Sequence, residues 1–218
     1  MTIARVIVRP IASPGALGFL GLAGATLTVS GLQLGWVEPA ETHTVALVVL
    51  GFTVPTQLLV AVFGFLGRDG ATATGMGLLA GIWLAVGLVT LQAQPGSTSD
   101  ALGLFLLLAG AGMLIPATTA FLSKAAAGLV LGTAGLRFLV TGVFQLTASD
   151  GWEDTAGVIG VVLCALAVYA ALAFQLEDVE GREVLPTGRR GRGRAAIEGG
   201  LEAQLRGLEH EAGVRRPL

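Results

Sequence analysis

No aspartate or glutamate falls within any of the six long apolar runs of this 218-residue chain. That absence removes paired carboxylates from the interior of those runs. Histidine is almost as scarce: His43 and His210 both lie outside the runs, which excludes a histidine-built metal site within them. No Ser–His–Asp, Cys–His or two-carboxylate set can assemble there, so an enzyme is not expected. No P-loop is present, and nothing calls for a bound cofactor or metal. The one cysteine, Cys164, cannot form an intrachain disulfide and reads as a small core residue. Charged residues make up only 13% of the chain, and the mean hydropathy is +0.77. A soluble domain of this size needs a more polar surface. Basic charge is not in excess either. A net charge of −2 argues against a nucleic-acid partner.

What is abundant is apolar length. A bilayer core about 30 Å thick needs roughly 20 helical residues. The runs Leu17–Val37, Thr44–Leu66, Ala71–Leu91, Ala101–Leu122, Ala125–Thr147 and Thr155–Phe174 each meet that need. They lack the alternation of barrel strands. The expected fold is therefore an all-α membrane protein of six transmembrane helices. The first run is uncharged from Pro10 to Val37, longer than the apolar region of a signal peptide, and reads as a retained helix.

Twelve of the thirteen basic residues lie in the termini or in alternate loops. Arg5 and Arg9 precede the first run, Arg68 follows the second, Lys124 the fourth, and eight arginines the sixth. The positive-inside rule then puts both termini in the cytoplasm. The expected organisation is a cytoplasmic N-terminus (1–12), a six-helix membrane domain (13–176) and a cytoplasmic tail (177–218). Abundant Ala and Gly, with one lysine against twelve arginines, fit a GC-rich bacterial genome, and the expected location is the bacterial plasma (inner) membrane. In the tail, Thr187–Arg194 reads as a solvated linker or a contact with anionic headgroups. Ile197, Leu201, Leu205 and Leu208 recur at helical spacing and suggest a short amphipathic helix.

Pro55 and Pro116 fall inside the second and fourth runs and should kink their helices. Gly15, Gly18, Gly21 and Gly24 cluster at the start of the first run, Gly128 and Gly132 have GxxxG spacing, and Gly157 and Gly160 lie in the sixth. Glycine lets helices approach closely in lipid, either within one chain or between protomers.

The thirteenth basic residue, Arg137, sits near the middle of the fifth run. A charge there costs roughly 2.5–3.5 kcal/mol on insertion scales. With no membrane carboxylate to pair with, its candidate partners are carbonyls, Thr or Gln groups, water or a bound anion. Thr133, Arg137, Thr141 and Gln145 recur every four residues and share one helix face. Thr26, Ser30 and Gln33 form a similar ridge on the first run, and Thr53 and Gln57 lie on the second. Such ridges face a bundle interior, although Ser and Thr also bond to their own helix backbone. Two roles stay open for Arg137: bordering a permeation path, where guanidinium matches a carboxylate, or bracing carbonyls freed by Pro55 or Pro116.

Three segments carry a family resemblance. Ser13-Pro14-Gly15-Ala16-Leu17-Gly18-Phe19 resembles the Asn-Pro-Ala-Pro-Leu-Gly-Leu opening of the acetate uptake transporter family. Phe65–Trp83 resembles that family's link from its second span into its third, and Gly181–Gly188 its closing Gly-Arg-x-Val-Leu-Pro-x-Gly. The resemblance covers roughly residues 12–188. It implies a transporter or channel for small carboxylates such as acetate and succinate, assembled as a hexamer with one pore per protomer. It also implies a hydrophobic constriction, which falls here on Leu22 and Leu79. The family has a Phe at the Leu22 position and a Tyr near Leu79 or Ala80; this chain keeps neither ring. Ser13 stands where the family has Asn, and Ala16 replaces the second Pro. The expected substrate-binding groups are Arg137, Thr133, Thr141, Gln145, Thr26, Ser30 and Gln57. Movement would be passive or proton-linked. The alternative is a non-transporting membrane scaffold or partner subunit that packs through its glycines and docks through its tail.

Overall fold

The structure, a computed structural model, describes residues 12–191, 193 and 194. Six helices in it are long and apolar enough to cross a membrane: α1 Gly15–Gln33, α2 Pro39–Leu66, α3 Gly70–Gln92, α4 Asp100–Ser123, α5 Ala125–Thr147 and α6 Asp150–Glu180. Each expected run coincides with one helix. The ends differ where local chemistry intervenes. α1 stops short of Val37 because Gly35 adopts a left-handed φ of 68°, and the Trp36 and Val37 amides donate back to the Gly31 carbonyl. α6 runs through the expected membrane exit to Glu180, so the boundary at 176/177 falls inside a helix. Asp69 and Ser99 cap α3 and α4 by accepting from the Thr72 and Leu102 amides.

Each helix packs on its successor, and α6 returns to pack on α1, so the six close into a ring. The α4–α5 contact is the most extensive. There Gly110 and Gly135 face one another, and a Cβ built on either would lie under 3.0 Å from the other's carbonyl oxygen. The ring interior is filled. Leu22, Leu79, Leu106, Met113 and Leu163 are fully buried, and Met76, Trp83, Leu131 and Phe138 nearly so. The outer surface is apolar as well: Leu104, Leu108, Ile115 and Leu122 on α4 are each more than 60% exposed. A helix that is apolar on both its inner and outer faces belongs in lipid.

The two prolines behave differently. Ahead of Pro55, α2 widens into a π turn over Val49–Thr53, which accommodates the missing amide and the ring. Pro116 lies within an uninterrupted α-helix. The glycines named above meet partners in the same chain: Gly18 faces Met76 and Val60, Gly128 the Phe121 backbone, and Gly157 Leu34.

The start of the arginine-rich tail is neither a solvated linker nor a headgroup contact at Arg189. The segment folds back on the α4–α5 turn, where Ala125 and Ala126 donate backbone hydrogen bonds to the carbonyls of Gly188 and Thr187. The guanidinium of Arg189 forks onto both oxygens of Glu177, with the two side chains only 12% and 6% exposed. Thr187, fully buried, donates to Glu183. The tail thus caps the first turn of α5, whose leading amides have no intrahelical acceptors. Lys124 in the same turn pairs with Asp69 at 2.9 Å, tying it to the α2–α3 loop. The amphipathic helix expected over Ile197–Leu208 lies outside the described residues, as do residues 1–11.

Candidate functional site

Arg137 lies 12 residues from the start of α5 and 10 from its end, so about 18 Å and 15 Å of helix separate it from either terminus. Its side chain is 1% exposed and takes part in no ion pair with a described residue. Two neutral oxygens on α1 receive it: Nη2 donates to Gln33 Oε1 at 3.1 Å and, more weakly, to Ser30 Oγ at 3.4 Å. The guanidinium carbon sits 5.5 Å from the centroid of the Trp83 ring on α3, within cation–π range. Trp83 in turn meets Phe138 edge-on at 5.4 Å. On the remaining side is Gly160 of α6, where a Cβ would lie 2.5 Å from Arg137 Nε. Four helices therefore enclose the guanidinium: α1 supplies acceptors, α3 an aromatic face, α5 the cation and α6 a close glycine wall.

Among the described residues, only neutral groups hold the positive charge. Arg137 Nε has no hydrogen-bond partner among the described residues, nor do Trp83 Nε1 and either amide atom of the fully buried Gln57. Unmet buried donors and acceptors cost about 1–3 kcal/mol each, and a native interior carries few of them. Two of these donors, Trp83 Nε1 and Arg137 Nε, belong to residues in direct contact, whereas Gln57 packs beside Gly21, further along α1.

The other sequence-derived candidates fall in different settings. Thr26 donates to the Leu22 and Ala23 carbonyls of its own helix, and Thr141 to the Arg137 carbonyl. Their hydroxyl protons are committed to backbone, leaving an oxygen as acceptor. Thr133 is half-buried, one turn before Arg137. Gln145 lies at the far end of α5, where it accepts from the Ser99 amide at 2.8 Å. There it lines a small pocket with Thr42, Thr90 and Gln94. Leu22 and Leu79 share the central apolar cluster with Phe19, Met76 and Leu131. In the opening motif, Ser13 is exposed, Pro14 precedes the first turn of α1, Leu17 faces outward, and Gly18 faces in. Three contributors were missed as site residues. Gln33 was visible on the α1 ridge, one turn beyond Ser30. Trp83 and Gly160 had no sequence signal linking them to Arg137, because aromatic and small residues are common throughout the membrane helices.

No protein-family model matches the chain, and no curated protein does. Among solved structures, the chain is similar to one described as the structure of the bacterial acetate channel SatP. The TM-score is 0.72 at 21% identity, covering 82% of this chain and 99% of that one. The chain has the six-helix membrane fold of that channel.

Proposed function

We propose that this protein is a membrane channel or transporter for small carboxylate anions, of which acetate is the first to test and succinate the second. The observation that carries the reading is Arg137, a buried guanidinium held by two neutral acceptors in the middle of a six-helix ring. Keeping a charge at this depth without a carboxylate is costly, and an anionic solute lowers that cost while it is bound. The likeness in fold to an acetate channel supports the same solute class.

In this reading Gln33 and Ser30 hold the Nη2 edge so that the charge faces the ring interior. A carboxylate is drawn to it by Coulomb attraction, strong in a low-dielectric setting. It crosses the apolar level of Leu22 and Leu79 when those side chains move apart. The flow is passive or proton-linked. Both termini lie in the cytoplasm, the protein sits in the bacterial inner membrane, and copies assemble as a hexamer with one pore in each.

The test is labelled acetate uptake into proteoliposomes. Arg137→Gln keeps length and hydrogen-bonding capacity but removes the charge. Uptake is expected to fall at least tenfold with assembly unchanged; uptake within twofold of wild type would reject the role given to Arg137. Truncation after Arg194 keeps the Arg189–Glu177 pair and should spare uptake, whereas loss of function on truncation would favour a scaffold that works through its tail.

A further inference from the structure

Trp83 is 1% exposed, yet its indole N–H has no acceptor among the described residues. The second ring fills space that phenylalanine would leave empty, but packing does not account for the bare donor that the ring carries. Its position is suggestive: the ring face lies against the Arg137 guanidinium at 5.5 Å, and the ring edge meets Phe138. Two donors without acceptors, Trp83 Nε1 and Arg137 Nε, thus belong to one buried cluster with a single positive charge.

Resting on the carboxylate reading above, we propose that Trp83 is an anion-binding residue whose indole N–H donates to one oxygen of the carboxylate drawn to Arg137. The chemistry of the group supports this. An indole N–H can only donate, so it welcomes acceptors and offers nothing to a donor. An ionised carboxylate only accepts, through two oxygens. Each oxygen reaches a donor at about 3 Å, so one small carboxylate bridges two donors several ångströms apart. The ring face stabilises the cation, and the ring edge reads the anion. Ser30 and Gln33 occupy Nη2 and Gly160 closes on Nε, which leaves the charge and the Nη1 end to the ligand.

Trp83→Phe tests this, because it keeps an aromatic face under Arg137 and removes only the N–H and one ring. Half-saturation for acetate uptake should rise about tenfold or more, while the native size-exclusion peak is retained despite the void left by the smaller ring. A second measurement needs no transport. Trp36 and Trp152 are exposed, at 63% and 43%, so a Trp36→Phe/Trp152→Phe protein reports Trp83 emission alone. Replacing chloride with acetate at constant ionic strength should change that emission saturably. Half-saturation within twofold of wild type, or a flat emission titration, overturns the proposal. The carboxylate reading survives that result if Arg137→Gln still slows uptake. Should wild-type protein carry no acetate at all, the carboxylate reading fails, and the emission titration by itself decides whether Trp83 meets the anion.

Discussion

Replacing Gly160 with alanine should evict Arg137 from its pocket. The new Cβ would lie 2.5 Å from Nε, 3.1 Å from Cζ and closer still to Ser30 Oγ. Side-chain carbons do not persist at such distances. Ser30 can turn its hydroxyl away, but the guanidinium is confined by the Trp83 ring and by Gln33. Moving it forfeits the bond to Gln33, about 1.5–3 kcal/mol for a charged donor, and the aromatic contact, about 1 kcal/mol. The expected destabilisation is about 3 kcal/mol. For a chain of this size each kcal/mol shifts the melting temperature by about 2–4 °C, so the drop should be roughly 6–12 °C. Thermal unfolding in detergent, followed by loss of the native size-exclusion peak, measures it. Combining Gly160→Ala with Ser30→Gly relieves one collision and should recover part of the loss, a non-additive pair. A melting point within about 2 °C of wild type, with acetate uptake unchanged, would refute the tight fit of Arg137 against α6.

Other perturbations follow from the same geometry. Glu177→Gln leaves Arg189 buried without its charge partner and should cost about 3–5 kcal/mol in unfolding free energy; Glu177→Met with Arg189→Met should recover most of it in the same melt. Burial raises the pKa of Asp69, but attraction to Lys124 and hydrogen bonds from Lys124 and Thr72 outweigh it and bring it below its ordinary 3.8. The ion pair therefore contributes stability above that value and loses it as pH falls further. Asp69→Asn should flatten this part of the acid-stability curve, and an unchanged curve would remove the pair from the account. Gln57→Leu removes two unmet amide atoms and should raise the melting temperature by a few degrees while slowing uptake, a separation that a purely structural Gln57 would not produce.

The arrangement of helices was legible because twenty-residue apolar stretches separated by sided charges leave few alternatives in lipid. Arg137 was legible for a related reason: a lone charge in such a stretch has no ordinary explanation. The α1 ridge pointed to Ser30 and Gln33, since polar groups at helical spacing turn inward. Its neighbour Thr26 follows the same spacing, yet the hydroxyl is spent on its own backbone. Spacing reports the face a residue occupies and not the acceptor it chooses. The Glu177–Arg189 clamp was hidden because twelve residues of mixed charge after a membrane exit look the same whether solvated or folded back. Gly160 was hidden because its contribution is the side chain it lacks, which has meaning only beside a neighbour from another helix.

Closure of the ring by its first and last members has a bearing on biosynthesis. Gln33 enters the membrane 104 residues ahead of the arginine that it will hold, and chains insert from the N-terminus onward. An emerging α5 therefore finds an acceptor already waiting, which eases the entry of a charged segment into oil. The helix bearing Gly160 arrives last and seals the guanidinium in. A ribosome stalled before α6 would strand that cation along an open flank, giving quality-control proteases a clear mark of an unfinished molecule.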